Sequence, residues 1–483
     1  MAKSLKKNAV WNFIYTGTNI LFPLITAPYV TRVLGAANLG EVDFAKSFVQ
    51  WFLIFSSFGI TTYGVRAISQ VRDDHEKTSK IFSELFIINI LFSIFASIMY
   101  MIVILNGNQF SNELPLFMIM TFSIILNAVN IDWFYQGIEE YNYITIRNFI
   151  IKIFSLILIF IYIQNPNDYI IYGLISILAT GLSGLLNVVN SRKYVQVTFK
   201  NLNFKNHIKS RGVFFLTTFI INIYSNLDRT LLGFLDTSSS VAFLTMVKSV
   251  TNMGGSVATS IASVAMPRAS YFLKSDFVRY RNLIREVPKL MQIFTIPLAV
   301  GIISLSSDVM YILGGEEFAG ASNLLALVAV VVIFASLSTF LSQQVLIPTG
   351  NENFGLIASI LSSIVSIVAN LLFIPRFSYL GAGLALVLAE FTALTTRYIF
   401  TRKMGYDFIQ ILSASSFKYL IAALTMFIPI YIVKLNVGSL LISFGLSVIL
   451  GALFYFVFLF ILKEEVFMKY LKEFIKKIGA KMN

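Results

Sequence analysis

VFFLTTFIINIYSNLDRTLLG, residues 213–233, is an apolar stretch about as long as a bilayer crossing, yet Asp228 and Arg229 lie near its end. A charged side chain within such a stretch costs about 2.5–3.5 kcal/mol even on the lenient translocon scale. Whatever repays that cost bears on both the fold and the function of the chain.

Comparable apolar windows, bounded by polar punctuation, recur along the whole chain. Fourteen are expected, the first six at roughly 10–34, 41–65, 80–105, 114–136, 143–164 and 169–190. Eight more follow near 212–234, 240–266, 287–311, 321–345, 354–375, 380–401, 415–435 and 440–462. A soluble domain would be about a quarter charged; here the charged fraction is 13%, the hydrophobic fraction 57% and the mean hydropathy +0.78. The expected class is therefore an all-α integral membrane protein with fourteen transmembrane helices. The start, MAKSLKKNAVWNF, has a basic flank but runs on too far for a cleaved signal, and reads as a retained first helix.

The net charge of +13 would suggest nucleic acid in a soluble protein, but 31 of the 37 Lys and Arg residues fall in alternate loops, on one side of the membrane. That distribution predicts cytoplasmic termini and no nucleic-acid partner. The longest charged linker, SRKYVQVTFKNLNFKNHIKSR, divides the chain near residue 200. The expected organisation is an N-terminal lobe over 1–200, a C-terminal lobe over 201–410, two additional helices over 411–462 and a cytoplasmic tail over 463–483. In the tail, Phe467, Leu471, Phe474, Ile475 and Ile478 recur at helical spacing with lysines opposite, the pattern of a helix lying in the headgroup layer.

The two halves overlay weakly, TRVLGAANLGEVDFAKSFVQ (31–50) on DRTLLGFLDTSSSVAFLTMVKSVTN (228–252). In each, an Arg closes one helix and a Lys sits on the next, so Arg32/Lys46 and Arg229/Lys248 occupy matching positions, as in a parallel transporter repeat. If these cations, with Asp228, face a wetted cavity, they imply an anionic substrate. Local neutralisation is the competing reading: Arg32 by Glu41 or Asp43, Lys46 by Asp43, Arg229 by a neighbouring carboxylate. Glu390, mid-span with Arg397 two turns on, reads either as a coupling or gating site or as a buried pair. Pro23 and Pro28 predict a bend in the first helix.

Several chemistries are excluded or have little support. There is no Gly-Lys dipeptide and hence no P-loop for ATP hydrolysis. HExxH and GxSxG are missing too, and no water-exposed domain exceeds about twenty residues, so a soluble catalytic site has little room. Cysteine is absent, and His75 and His207 stand apart in polar loops, so neither a metal nor another cofactor is expected.

GEVDFAKSFVQWFLIFSSFGITTYGVRAISQVRDD (40–74) and NIDWFYQGIEEYNYITIRNFIIKI (130–153) resemble the bacterial Wzx-type flippases. NLDRTLLG, MPRASY (266–271), PTGNENF (348–354) and IPRFSYLGAGLALVLAE (374–390) are similar to the second half of that family. The resemblance places the chain with the multidrug/oligosaccharidyl-lipid/polysaccharide exporter superfamily. It implies two six-helix lobes, often with two added helices, in a V-shaped fold. It also implies a flippase in the bacterial cytoplasmic membrane, not an enzyme, acting by alternating access on undecaprenyl-pyrophosphate-linked oligosaccharide for capsule, O-antigen or exopolysaccharide assembly. Membrane lipids and a polysaccharide polymerase are the implied partners. Arg32, Lys46, Asp228, Arg229 and Lys248 match charged positions of such motifs. A cation-coupled multidrug antiporter, a lipid II flippase and a non-transporting scaffold for glycan assembly are the alternatives. Trp133, Phe134 and Tyr135 read as an aromatic anchor at the membrane interface.

Overall fold

A computed structural model describes residues 5–200 and 202–482, and among them every regular element is helical. Among the described residues, ten helical stretches are long and apolar enough to cross a membrane. Two of the ten, Ile25–Ser69 and Glu352–Lys403, run for 45 and 52 residues, against the roughly 20 that one crossing needs. The chain divides into two compact units, Met1–Ala242 and Phe243–Asn483.

The first unit holds α1 (Leu5–Ser57), α2 (Ile60–Ser69), α3 (His75–Asn106), α4 (Leu114–Asn127), α5 (Asp132–Gly137), α6 (Tyr141–Tyr162), α7 (Tyr169–Ser191) and α8 (Phe204–Leu235). The polar break expected at GAANLG shrinks to one residue: helix continues on both sides of Gly35, whose φ of 74° and ψ of 170° suit glycine alone. Helical backbone runs through Pro23 and Pro28, so the interruption falls later than the prolines suggest. A second discontinuity splits the span expected over 41–65. Phe58 and Gly59, with φ of 41° and 72°, separate α1 from α2. The backbone of α8 lies so close to Gly59 that a Cβ there would be 2.7 Å from the Arg211 carbonyl oxygen.

The polarity of α3 is inverted relative to a soluble helix. Its buried face carries Glu84, Asn89, Ser93 and Ser97, whereas Leu91, Phe95, Ile98 and Ile102 are more than half exposed. That arrangement suits a helix surrounded by lipid, where polar groups pair inside the bundle. Inside, Phe48 meets Phe110 and Phe110 meets Phe117 at ring separations of 4.9 Å, and the Tyr100 hydroxyl donates to the Phe117 carbonyl at 2.9 Å. Trp133, Phe134 and Tyr135 are buried too, packed with Ile60, Ile68 and Phe82. They form core and not an interfacial anchor, because α5 is too short to span and tucks its aromatic side against α2.

The second unit continues with α9 (Ser238–Ser275), which begins in the first, then α10 (Phe277–Ser304), α11 (Ser306–Gly314), α12 (Glu316–Ala319), α13 (Ser322–Val328) and α14 (Val331–Phe340). A π-helical turn over Leu341–Leu346 leads to α15 (Glu352–Lys403), α16 (Ala414–Leu424), α17 (Phe427–Asn436), α18 (Leu440–Ile461) and α19 (Glu465–Met482). Like α1, α15 is interrupted by a single residue, Ser378, at φ 55° and ψ −137°. The amphipathic tail is helical as α19, and Phe467 stacks on Phe456 of α18. The side chains of Phe474, Ile475 and Ile478 lie outside the described residues.

Candidate functional site

Two of the expected cations lie at one level within the first unit. Lys46 of α1 and Arg229 of α8 are brought level by their neighbours. The Thr230 hydroxyl donates to Ser47 Oγ at 3.2 Å and accepts the Trp51 indole N–H at 3.0 Å. Lys46 turns toward α7, where its ammonium donates to Ser176 Oγ at 3.1 Å and lies 4.5 Å from the centre of the Tyr172 ring. Arg229 donates through Nη2 to the Asn226 side-chain oxygen, and its buried Nε has no hydrogen-bond partner among the described residues. Among those residues neither cation is ion-paired with a carboxylate, so pairing of Lys46 with Asp43 does not form.

From Arg229 a ladder of side chains descends α8 at helical spacing. Asn226 donates to Asn222 Oδ1 at 2.9 Å, and Asn222 donates to the Thr218 carbonyl at 2.9 Å. Residues three and four apart share a helix face, and by the same spacing Gln50 continues from Lys46 on α1 and Thr180 continues from Ser176 on α7. These three stripes lead to a cavity of about 300 Å³ whose lining includes Gln50, Ser57, Asn127, Thr180, Thr218 and Asn222. Nine of its twelve lining residues are polar and none is charged.

The remaining expected residues lie elsewhere. Asp228 is buried at 2% exposure, with Oδ1 accepting the Arg229 backbone N–H at 2.8 Å. Arg32 is exposed on α1 and donates to the Pro28 carbonyl at 2.8 Å. Glu41 accepts a hydrogen bond from the Ser238 hydroxyl. Lys248, Glu390 and Arg397 belong to the second unit, where the Arg397 guanidinium donates to the Ser338 and Ser359 hydroxyls, the latter at 3.1 Å.

Sequence reasoning passed over a cluster on the first turns of α8. His207 is not isolated in a loop: Nε2 lies 2.7 Å from Glu84 Oε2 and Nδ1 lies 2.8 Å from the Tyr63 hydroxyl. Glu84, 2% exposed, also accepts the Asn203 N–H at 2.6 Å. One turn on, the fully buried Arg211 donates to the Ser57 and Phe58 carbonyls at 2.7 and 2.9 Å, satisfying oxygens that the break between α1 and α2 leaves free. Arg147 is buried on α6 with Asp132 at 3.0 Å and with Asn187. Arg147 and Arg211 thus hold the bundle together although both sit in basic flanks that the sequence alone assigns only to topology. A single Glu within an apolar span was the available signal for Glu84; its partner is 123 residues away.

Comparison with known proteins gives these features a family. The chain is 26% identical over 381 residues to a candidate O-antigen transporter of Shigella dysenteriae, covering 78% of this chain and 94% of that one. It is 22% identical over 410 residues to a capsular polysaccharide biosynthesis protein of Staphylococcus aureus, covering 82% and 99%. Among solved structures, a lipid II flippase in an inward closed conformation superposes with a TM-score of 0.75 at 17% identity, covering 94% of this chain and 99% of that one. An inward-facing multidrug transporter gives 0.65 at 14%, covering 82% and 96%. At those identities the likeness is one of fold. Residues 5–272 match the family described as polysaccharide biosynthesis protein, more than half of the chain, and the chain belongs to that family.

Proposed function

We propose that the protein is a flippase that carries lipid-linked oligosaccharide units across the cell membrane by alternating access, for assembly of a surface polysaccharide. The relatives named for O-antigen transport and capsule biosynthesis support this reading, as does the flippase fold. Within the site the reading is carried by Lys46 and Arg229, level with each other on helices of membrane-crossing length and without ion-paired carboxylates among the described residues. Cations kept in a low-dielectric interior without a countercharge favour an anionic ligand, and a desolvated guanidinium and ammonium suit phosphate oxygens.

The anionic group is the pyrophosphate of an undecaprenyl carrier, held by Lys46 and Arg229 with Lys248, while the hydrocarbon tail stays in the bilayer. Arg32 attracts the headgroup at the rim and Asp228 orients Arg229. Glu390 and Arg397 couple or gate the cycle. The chain crosses the cytoplasmic membrane fourteen times with both termini inside, its lobes spanning 1–200 and 201–410, and it delivers its cargo to a polymerase on the outer side. It forms no covalent intermediate and needs no cofactor.

The decisive experiment is transport in vesicles of a fluorescent undecaprenyl-pyrophosphate-linked oligosaccharide, with drug efflux measured in parallel. Lys46→Ala, Arg229→Ala and Lys248→Ala should each lower glycan transport at least about tenfold, the scale of one lost charge-assisted hydrogen bond. Wild-type drug efflux without glycan transport would overturn the function; full transport in all three variants would overturn the assignment of the cations.

A further inference from the structure

The uncharged cavity of the first unit differs chemically from the cations above it. Amides and hydroxyls dominate its wall and no charged residue lines it. The side chains of Gln50, Thr61 and Thr218 have no hydrogen-bond partner among the described residues. Thr61 is exposed and Gln50 and Thr218 are half-buried, so these groups stay open to whatever fills the cavity, whereas polar side chains within a membrane bundle ordinarily pair with one another across helices. A wall that keeps several such groups open suits an occupant offering hydroxyls as both donors and acceptors.

Place and size narrow that occupant. The cavity reaches Asn222, about 10 Å down α8 from Arg229 at 1.5 Å per residue, so it lies within reach of a chain of sugars whose phosphate link sits at the cations. Its volume of about 300 Å³ is at the lower end of the range for small-molecule sites and suits a sugar ring better than a whole glycan. A sugar bearing a carboxylate would be desolvated there without a cation to pair with, whereas a neutral ring exchanges water for amides and hydroxyls.

We propose that this cavity binds an uncharged sugar of the transported glycan, read by hydrogen bonds from the open side chains of Gln50, Thr61 and Thr218, as a subsite distinct from the cations that hold the anionic link. The proposal rests on the flippase reading above. It makes the first unit selective for neutral hexose or N-acetylhexosamine near the lipid, and selective against uronic acids there.

The test uses the full chain in vesicles with three synthetic probes: undecaprenyl pyrophosphate alone, the same lipid with a neutral fluorescent trisaccharide, and that trisaccharide with a uronic acid in place of each sugar in turn. Gln50→Leu and Thr61→Val should each slow transport of the neutral probe at least about fivefold, the scale of one or two lost hydrogen bonds. Binding of the sugar-free lipid should stay within about twofold of wild type, which also reports that the variants are folded. Gln50→Leu carries the test should Thr61→Val fail to fold. At one sugar position, the uronic acid should slow the wild type. Neutral transport at the wild-type rate in Gln50→Leu, as expected of a merely water-filled cavity, would overturn the proposal. So would a loss of sugar-free lipid binding equal to the loss of glycan transport. A wild type that transports no glycan probe would instead refute the flippase reading.

Discussion

Arg211 shows how one side chain can stabilise a broken helix. The α1–α2 discontinuity leaves the Ser57 and Phe58 carbonyls without helical donors, and the guanidinium of α8 meets both. Arg211→Ala should lower stability by about 3 kcal/mol, the combined effect of two charged hydrogen bonds less relaxation, read as a depressed thermal midpoint of the purified protein. Arg211→Lys should recover part of that loss, since an ammonium reaches one carbonyl more easily than two. Glu84 and His207 make a second case, with the Nε2–Oε2 separation at 2.7 Å and both residues buried. A double-mutant cycle between Glu84→Gln and His207→Phe should give a coupling of about 1–3 kcal/mol, and additive effects would dismiss the pair. Neither partnership was legible beforehand. Glu84 is a single acid in an apolar span that sequence reading passed over, and Arg211 was one more basic residue of a linker. Their partners are far away in sequence, so spacing along the chain could not join them. The stripe Thr218, Asn222, Asn226, Arg229 does have helical spacing in the sequence, although only Asp228 and Arg229 of that span were singled out from it.

The helices were easier to foresee than their interruptions. Length and apolarity predict where a helix lies, since a chain in lipid must satisfy its own backbone. Whether two apolar windows are joined by a loop or by one residue depends on local geometry: Gly35 and Ser378 each interrupt a continuous helical run without a polar linker. Gly59 is a sharper case, combining a left-handed φ of 72° with close approach of the α8 backbone. Gly59→Ala should therefore both strain the turn and push α8 away. The expected result is a loss of about 1–3 kcal/mol, with faster hydrogen exchange in the first turns of α8; unchanged exchange there would show that the close approach is not maintained. At the other end of the chain, α19 is tied to α10 by Lys469 Nζ, 2.6 Å from Glu286 Oε1, a hydrogen bond that raises the Lys469 pKa. A lysine whose folded pKa is raised contributes its full stabilisation below the unfolded value of about 10.4 and loses it as pH climbs through the folded value. Protection of α19 from hydrogen exchange, corrected for the intrinsic rate, should thus be flat across neutral pH and fall only in strongly alkaline solution.

For the molecule as a whole, the distribution of basic residues predicts an orientation that can be checked without first removing anything, because the chain contains no cysteine. Asn108→Cys should react with an impermeant thiol reagent added outside intact cells, and Asp73→Cys only after permeabilisation. The reverse pattern would invert the topology and with it the direction of transport. The order of residues alone was enough for the membrane class and for most helices, because burying a charge or an unpaired peptide group in lipid is so costly that composition must follow the bilayer. Folding in three dimensions was needed to settle which charges pair. It put Lys46 beside Ser176 and Tyr172, Arg147 with Asp132, and Arg211 over the broken helix. It also made an uncharged cavity from α1, α2, α4, α7 and α8. Pairing acts over a few ångströms between segments far apart along the chain, and that proximity exists only once the helices have packed.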